Sequence, residues 1–336
     1  MRIAILDIYY GDFIKAHYDA HPDLENEDYE TQRQSLLSAQ FGIGDGYETG
    51  FERAGHSAHT FIINCGQLQG AWDREHGSGS DETFMRQIEH YDPDVILAMG
   101  LWTITNDVRQ AFPNKIIAGH VGSRLDEFAT NRFDVIFTPI PRYVESFRNA
   151  GVRSEIHRCG FNHRALIDID VVDRTNKAVF VGTRSGGHSK RDAVICELAR
   201  LDLIDIYGMG WQGELGYRGE AFGMDTYRRL NEYTIGLNGH IDFAFPCVGN
   251  MRMFETTGMC ALLITDTGSN MDDLFTVDDE VLVYESADEA VSLVRWAIEN
   301  PVAAAGIALH GYYRTMNDHT YLIRAEEMIS TFGGLR

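Results

Sequence analysis

Residues 250–266 read NMRMFETTGMCALLITD, a helix-type pattern that runs directly into an apolar strand. Arg252 and Glu255 are three residues apart, so a helix places both side chains on one face. Gly258 is a typical stop signal for such a helix. The run Ala261–Thr265 has the continuous apolar character of a strand that is covered on both faces of a parallel sheet. The segment therefore predicts part of an α/β unit with two charged side chains on its helix.

Units of the same kind recur along the chain, and their rhythm is typical of βαβ connections and parallel sheets. The predicted strands are Ile3–Ile8, His59–Asn64, Asp94–Met99, Lys115–Ala118, Asp134–Thr138, Lys177–Val181, Leu203–Tyr207, Thr234–Asn238, Ala261–Thr265 and Glu280–Tyr284. The predicted helices are Tyr47–Ala54, Asp81–Tyr91 with Asp81 as its cap, Thr105–Phe112, Pro141–Ala150, Lys190–Leu201, Met224–Glu232, Met251–Thr257, Ala287–Glu299, Pro301–Met316 and Thr320–Phe332.

The rhythm restarts at Lys177, after an acid-rich stretch, Asp168–Asn176, that we interpret as a linker. A chain of 336 residues has room for about two domains. We therefore predict two doubly wound α/β domains, residues 1–168 and 176–318, followed by a helical tail. Residues 319–336 form a C-terminal helix that we expect to pack back on the first domain. Ligands of such folds bind beyond the carboxyl ends of the strands.

The charge balance, 29 Lys+Arg against 50 Asp+Glu for a net charge of −21, excludes several classes of partner. Nucleic-acid polymers and anionic bilayers both need a basic surface, so we expect neither. The five cysteines are scattered without a CxxC spacing, which argues against a disulfide framework or a zinc site. No apolar run is long enough for a signal-peptide core or a membrane span. We therefore predict a cytoplasmic protein.

A glycine-rich segment, Gly182–His188, lies between a predicted strand and a predicted helix. Backbone N–H groups of such a loop and the N-terminus of the helix favour an anion. Lys190 and Arg191 add positive charge at the helix start, so we interpret the segment as a diphosphate site. The alternative is an ordinary loop with surface cations. The segment is neither a Walker sequence nor the dinucleotide fingerprint, which argues against a dehydrogenase.

Arg252 and Glu255 also allow two interpretations. As an exposed ion pair they would contribute little to stability. As a binding pair, Glu255 would accept hydrogen bonds from ribose hydroxyls and Arg252 would contact a phosphate.

The pattern Asn250-x-Arg252-x-Phe254-Glu255-x-x-Gly258-x-x-Ala261-Leu262-Leu263-x-Thr265-Asp266 resembles the nucleotide-sugar domain of GT-B glycosyltransferases. More narrowly, it resembles the group-1-type transferases called spore-maturation-protein-like. Further matches follow in the right order over most of the chain: Leu6–Tyr10, Phe41–Gly42, Asp45, Asn64–Cys65, Trp72, Glu75–Gly77, Tyr207–Gly208, Tyr217–Gly223, Leu237–Asn238, His240, His319–Tyr321 and Arg324.

The resemblance implies two Rossmann-like domains facing a cleft, with the nucleotide sugar on the C-terminal domain and the acceptor mostly on the N-terminal one. It aligns Glu255 with the carboxylate that binds the donor ribose. Related retaining enzymes often carry a second acid eight positions upstream, where this chain has Cys247. The predicted donor-binding residues are Gly182, Thr183, Arg184, Lys190, Arg191, Gly208, Asn238, His240, Asn250, Arg252, Glu255 and Thr257.

Departure of a nucleoside diphosphate needs positive charge, from a metal or from fixed cations and helix dipoles. Similar GT-B enzymes typically need no metal, so we expect none and no other cofactor. Asp92 and Asp94 superficially resemble an Asp-x-Asp metal motif, but acids before a strand more often form a turn. Arg184, Lys190, Arg191 and Arg252 are the candidates that neutralise the leaving group.

An inverting transfer also needs a general base beside the acceptor hydroxyl. His120, after a predicted strand, is the first candidate, although a lone histidine is more often structural. Asp7 and Asp45 are alternatives, and Asp45 can instead cap the following helix.

Tyr9, Tyr10 and Trp72 are candidates for stacking on a sugar acceptor, although isolated aromatic residues more often lie in the core. The predicted function is transfer of a hexosyl group from a nucleotide sugar, a UDP-sugar, to a hydroxyl of a glycan, a small molecule or a protein. The alternatives are a nucleotide-sugar epimerase and a nucleotide-sugar-binding protein without catalysis.

Overall fold

The computed structural model describes residues 1–80, 82–125 and 130–335, so the predicted helix cap Asp81 lies outside the described residues. The chain divides into two compact units. The first unit comprises Met1–His157 and Leu322–Arg336, and the second comprises Arg158–Tyr321. The division after His157 precedes the acid-rich stretch that the sequence indicates as a linker.

In its described ranges, the first unit contains a six-stranded parallel sheet with the order β2-β1-β3-β4-β5-β6. Its strands are β1 (Arg2–Asp7), β2 (Ser57–Ile62), β3 (Val95–Ala98), β4 (Ile116–His120), β5 (Val135–Thr138) and β6 (Arg153–Ile156). Its helices are α1 (Gly11–Ala20), α2 (Tyr29–Ser38), α3 (Gly44–Arg53), α4 (Gly66–His76), α5 (Thr83–Tyr91), α6 (Asn106–Ala111) and α7 (Pro141–Asn149).

The second unit, which is described throughout, also contains a six-stranded parallel sheet, with the order β12-β11-β10-β7-β8-β9. Its strands are β7 (Thr175–Val181), β8 (Ile204–Tyr207), β9 (Tyr217–Gly219), β10 (Tyr233–Leu237), β11 (Leu262–Asp266) and β12 (Leu282–Tyr284). Its helices are α8 (Ser189–Arg200), α9 (Met224–Asn231), α10 (Met251–Gly258), α11 (Ala287–Glu299) and α12 (Pro301–Asp318), and α13 (Tyr321–Gly333) begins at the boundary.

Both faces of the second sheet are buried. Alternate residues of β7 belong to different apolar clusters: Ala178 and Phe180 pack with α8, α11 and α12, whereas Val179 and Val181 pack with α9 and α10. This arrangement is why the strands read as continuous apolar runs rather than alternating ones. The predicted pair of doubly wound sheets with a helical C-terminal tail is confirmed.

Several elements differ from the sequence-based prediction. Strand β2 lies two residues earlier than predicted, and β4 continues through His120, which makes that residue the last of a strand rather than part of a loop. The sequence did not indicate α1, α2, α4, β6 or β9. In α2 the buried side includes Gln32 and Arg33, and Arg33 pairs with Glu48, so the helix lacks the apolar periodicity that would identify it.

The strand orders define where each sheet has its switch point, the place where successive connections turn in opposite directions. In the first unit this place lies between β1 and β3, and in the second between β7 and β10. Crevices outside the carboxyl ends of strands at a switch point are the usual ligand sites of such sheets. In the described part of the chain, no helix combines the length and apolar character needed to cross a bilayer.

Candidate functional site

The carboxyl ends of β10 and β11 carry a hydrogen-bonded network that includes three predicted donor residues. Asn238 donates from Nδ2 to Thr265 Oγ1 at 2.9 Å, and its Oδ1 accepts from Asn250 Nδ2 at 3.1 Å. Its backbone carbonyl accepts from Tyr284 Oη at 2.8 Å. Asn238 and Asn250, predicted from distant parts of the sequence, are therefore adjacent at the switch point of the second unit.

His240 is buried and all of its ring contacts are made by protein. Nδ1 donates to Asp266 Oδ1 at 2.6 Å, while Nε2 accepts the backbone N–H groups of Gly249 at 2.9 Å and Asn250 at 3.3 Å. Only a neutral ring with its proton on Nδ1 satisfies both sides. His240 thus joins the end of β10 to the start of α10, and its contact with the donor stays a prediction.

Helix α10 begins with a side-chain cap and carries an ion pair in its first two turns. Asn250 caps it, with Oδ1 accepting from Met253 N at 3.4 Å. In its first two turns, Arg252 Nη1 lies 2.5 Å from Glu255 Oε2, and Tyr227 Oη lies 3.5 Å from Glu255 Oε1. The carboxylate is buried and the guanidinium is mostly buried. The structure therefore rules out the exposed ion pair that was the alternative interpretation.

Thr257 does not face this network. Its hydroxyl donates to Met253 O at 2.9 Å and lies 2.5 Å from Thr315 Oγ1 on α12. The side chain is fully buried. The Thr257 hydroxyl thus packs α10 against α12, and its contact with the donor stays a prediction.

The glycine-rich segment holds two strand ends close together. The carbonyl of Gly182 accepts from Trp211 Nε1 at 2.9 Å, and a Cβ at Gly208 would lie 2.3 Å from that same carbonyl oxygen. Gly208 also has a φ of +133°, a conformation that L-residues rarely adopt. Glycine at position 208 is therefore required by the close approach of this backbone to that of Gly182.

Arg191 of the predicted diphosphate site is buried, and its guanidinium forms hydrogen bonds with protein groups. Its Nη2 donates to Thr183 O at 2.8 Å, its Nε donates to Asp192 Oδ1 at 3.0 Å, and its guanidinium lies over the Phe180 ring. The guanidinium of Arg191 thus has protein partners on several sides, and its role at the leaving group stays a prediction. Lys190 beside it is exposed and lies 5.0 Å from the centroid of the Phe245 ring.

The start of α8 is already occupied by an acid. Asp242 Oδ2 accepts from Ser189 N at 3.0 Å and from Ser189 Oγ at 2.7 Å, and these contacts lower the pKa of the Asp242 carboxyl. The anion-binding capacity of this helix terminus, predicted from the sequence, is thus used by the chain itself.

The predicted cationic cluster is largely charge-balanced. Arg184 Nη1 lies 2.6 Å from Glu214 Oε1, and its guanidinium also lies over the ring of Trp211. Arg252 and Arg191 have the acidic partners already described. Within the part of the chain that the structure describes, Lys190 is the member of the set without a carboxylate at ion-pair distance.

Two of the three predicted base candidates, Asp7 and Asp45, lie at the first turn of α3 in the first unit. Asp7, the last residue of β1, accepts from Gly44 N at 3.1 Å and from Ile8 N at 2.9 Å. Burial outweighs these hydrogen bonds and raises the pKa of the Asp7 carboxyl to about 6. Asp45 is buried within the same turn and contributes to raising the pKa of the Tyr9 hydroxyl, for which burial is the main cause.

His120, the last residue of β4, lies next to a second buried histidine. The His120 and His157 rings meet edge-on with their centroids 5.9 Å apart. His157 Nε2 lies 2.8 Å from Tyr47 Oη. Burial lowers the pKa of His120 to about 4 and lowers the pKa of His157 well below its ordinary value. Within the described residues, His120 Nε2 has no hydrogen-bond partner.

The predicted acceptor residues have different environments. Tyr9 is buried against Phe13 and Phe41, and Trp72 is buried with its ring stacked on His76, so protein side chains cover both rings. Tyr10, in contrast, is exposed. The sequence reasoning overlooked Trp102, an exposed ring after β3. Its position just beyond the predicted strand Asp94–Met99 was the signal that could have identified it.

Asp92 and Asp94 make structural contacts. Asp92 forms an ion pair with Lys115, and Asp94 Oδ2 accepts from Arg2 N at 2.7 Å. The described residues contain no group of three or more His, Cys, Asp or Glu side chains arranged to hold a metal ion.

Residues 190–330 match the model of a family described as glycosyl transferase-like. The chain also resembles solved structures over its whole length. HepE of Anabaena, solved with UDP-glucose, gives a TM-score of 0.62 at 11% identity, covering 99% of this chain and 100% of that one. Sucrose-phosphate synthase of Thermosynechococcus elongatus gives a TM-score of 0.58 at 11% identity, covering 100% of this chain and 99% of that one.

A Listeria monocytogenes protein described as a UDP-N-acetylglucosamine 2-epimerase gives a lower TM-score, 0.54 at 9% identity, covering 98% of this chain and 95% of that one. A comparison with curated proteins found no match. These likenesses show the fold: two six-stranded parallel sheets with their helices form a GT-B fold, as the sequence predicted.

Proposed function

We propose that this chain, whose residues 190–330 match a glycosyl transferase-like model, is a glycosyltransferase. It transfers a hexosyl group from a UDP-sugar to an acceptor hydroxyl without a metal ion. The observation that carries the proposal is the buried Arg252–Glu255 pair on α10, which lies within the matched range. The likeness to HepE, which was solved with UDP-glucose, supports the choice of a uridine nucleotide.

On the donor side, Glu255 binds the ribose. An ionised carboxylate only accepts hydrogen bonds and ribose hydroxyls donate them, so the two are complementary. Arg252, 2.5 Å away, orients the carboxylate and has further N–H groups for a phosphate oxygen. Asn250, bonded to Asn238, fixes the start of the helix that carries both side chains.

Departure of UDP leaves negative charge that the site must stabilise. Lys190 is exposed and has no acidic partner within the described residues, so its charge is available to a phosphate. The N-terminus of α10 adds the partial positive charge of its free N–H groups. Arg184 contributes only when a phosphate replaces Glu214 as its partner.

On the acceptor side, we assign His120 as the general base that accepts the proton of the attacking hydroxyl. Its neutral ring has an unpartnered Nε2, whereas hydrogen bonds from Ile8 and Gly44 reach both oxygens of Asp7. A weak base suffices when the hydroxyl becomes acidic as its oxygen bonds to the sugar carbon. The proton then moves to Nε2 while the bond to UDP breaks.

Calorimetric titration with UDP, UDP-glucose and UDP-N-acetylglucosamine, in EDTA and then in Mg²⁺, tests the donor site. We expect binding in EDTA and an affinity at least tenfold lower in Glu255→Gln. Glu299→Gln, which removes the same charge at the exposed end of α11, is the control and should bind like the wild type. Equal affinity in both variants would refute the role of Glu255.

The fold likeness to the Listeria epimerase supports a second candidate function. Incubation with a UDP-sugar and no acceptor separates the possibilities. An isomerised sugar nucleotide indicates an epimerase. Tight binding with no isomerisation, hydrolysis or transfer to a broad acceptor panel indicates a nucleotide-sugar-binding protein without catalysis.

A further inference from the structure

We propose that Tyr10 and Trp102 form an aromatic surface that binds a neutral glycan acceptor through the C–H face of a pyranose ring. The inference rests on the proposed transferase function and specifies its acceptor class. It assigns a binding role to Trp102, which the sequence reasoning did not consider.

The two rings follow neighbouring strands at the switch point of the first unit. Strands β1 and β3 are paired with Leu6 opposite Ala98. Tyr10 lies four residues beyond Leu6, and Trp102 lies four residues beyond Ala98. Both rings therefore emerge at the carboxyl edge of the sheet, where doubly wound folds bind their ligands.

Both rings are held in place although they face solvent. Tyr10 is 60% exposed and Trp102 is 61% exposed. The Tyr10 and Phe41 rings form a T-shaped pair with their centroids 5.2 Å apart. The Phe41 ring also stacks on Phe13, with the centroids 4.1 Å apart. The indole of Trp102 lies over Gly100, because a Cβ built on Gly100 would lie 2.7 Å from Cζ2 of Trp102. Such fixed rings lose little conformational freedom when a ligand covers them.

The surroundings of the rings favour a carbohydrate. A pyranose has an apolar C–H face and a rim of hydroxyls, so it needs a ring surface with polar groups next to it. The residues flanking the two rings, Asp12 after Tyr10 and Thr105 and Asn106 after Trp102, are polar and exposed. The net charge of −21 opposes a phosphorylated acceptor, such as a lipid-linked phosphate.

Saturation-transfer NMR of the full chain with maltotriose and cellotriose tests this surface without donor or turnover. We expect saturable binding of at least one trisaccharide, a dissociation constant at least tenfold weaker in Trp102→Ala and in Tyr10→Ala, and partial retention in Trp102→Phe. Tyr313→Ala removes a similarly exposed ring, 55% exposed, from α12 of the second unit and should bind like the wild type. Circular dichroism confirms that each variant is folded.

Binding of neither trisaccharide, or equal binding by the wild type and Trp102→Ala, overturns the proposal. So does preferential saturation of an aryl aglycone over the sugar protons when p-nitrophenyl β-glucoside is the probe. UDP titration of the same samples keeps the two proposals distinct. UDP binding without trisaccharide binding refutes the aromatic surface alone, and trisaccharide binding without UDP binding refutes the donor site alone.

Discussion

His240 donates a hydrogen bond to Asp266 over 2.6 Å and accepts one from the backbone of Gly249 over 2.9 Å, so a single neutral ring joins the end of one strand to the start of the next helix. His240→Ala leaves the buried N–H of Gly249 without its acceptor and removes the ring hydrogen bond to the partly buried Asp266. At about 1–3 kcal/mol for each buried polar group, we expect the free energy of unfolding to fall by about 3 kcal/mol.

Urea denaturation measures this loss. His310→Ala is the matched control, because His310 forms only an exposed ion pair with Asp279 and its removal should cost less than about 0.5 kcal/mol. A His240→Ala protein with unchanged stability but abolished UDP binding would instead identify His240 as a direct donor contact.

Two neighbouring cations, Lys190 and Arg191, should respond to the same substitution in opposite ways. Lys190→Met removes an exposed charge, so we expect UDP affinity to fall about tenfold and stability to change by less than about 0.5 kcal/mol. Arg191→Met leaves Asp192 and the carbonyl of Thr183 without their buried partner, so we expect a stability loss of about 3 kcal/mol. Calorimetry and urea denaturation of both variants check the contrast, which fails if Arg191→Met is as stable as the wild type.

Gly208, which packs against Gly182, and Gly186 of the predicted diphosphate segment should differ sharply in their tolerance of alanine. Gly208→Ala places a methyl group 2.3 Å from the backbone of Gly182 at a φ of +133°, and neither strand end is free to move. We expect a loss of at least about 3 kcal/mol, or failure to fold. A Cβ at Gly186 meets no atom within 4 Å, so Gly186→Ala should melt within a few degrees of the wild type. Thermal denaturation of the two variants is the measurement.

Buried histidines should make the protein sensitive to acid. His59, His120 and His157 have pKa values lowered by burial, the first two to about 4, whereas unfolded histidine titrates near 6.5. Between these values the unfolded chain binds more protons, so stability is complete above pH 6.5 and is lost as the pH falls toward 4. Each shift to about 4 corresponds to about 3 kcal/mol.

Asp7 opposes this trend. The pKa of the Asp7 carboxyl is about 6 in the folded chain, compared with its ordinary value of 3.8. Between these values the folded chain binds more protons than the unfolded chain, so the stability contributed by Asp7 increases as the pH falls. Three histidines outweigh one carboxyl, and we expect a net acid-induced loss. Urea denaturation at several values between pH 4.5 and 7.5 measures it. His157→Gln should flatten the profile and Asp7→Asn should steepen it; a flat wild-type profile would contradict the prediction.

The sequence predicted the fold well because buried parallel strands leave continuous apolar runs. Lys177–Val181 and Ala261–Thr265 were identified to within about two residues for this reason. The missed helix α2 shows the limit of that signal, since polar Gln32 and the ion-paired Arg33 share its buried side with Tyr29, Leu36 and Leu37. No periodicity of apolar residues reveals a helix that buries polar ones.

The candidate site was predictable as a set of positions rather than as a set of roles. Asn238, Asn250 and Glu255 were correctly placed near strand ends or a helix start. Arg191 and Thr257 have residue types typical of ligand contacts, but their partners Thr183 and Thr315 become neighbours only through folding. Spacing along a chain does not show which side of a helix a neighbouring element covers.

The chain leaves its first unit after His157 and returns to it at Leu322. In α13, Phe332 contacts Phe51 and Phe137, and Glu327 lies 3.5 Å from His157, so the first unit uses residues from both ends of the sequence. During synthesis, the second unit can complete its sheet while the first still lacks its closing helix. The first unit therefore begins to form before the second but is completed after it, and the apolar surface that α13 covers stays open until this helix has been made.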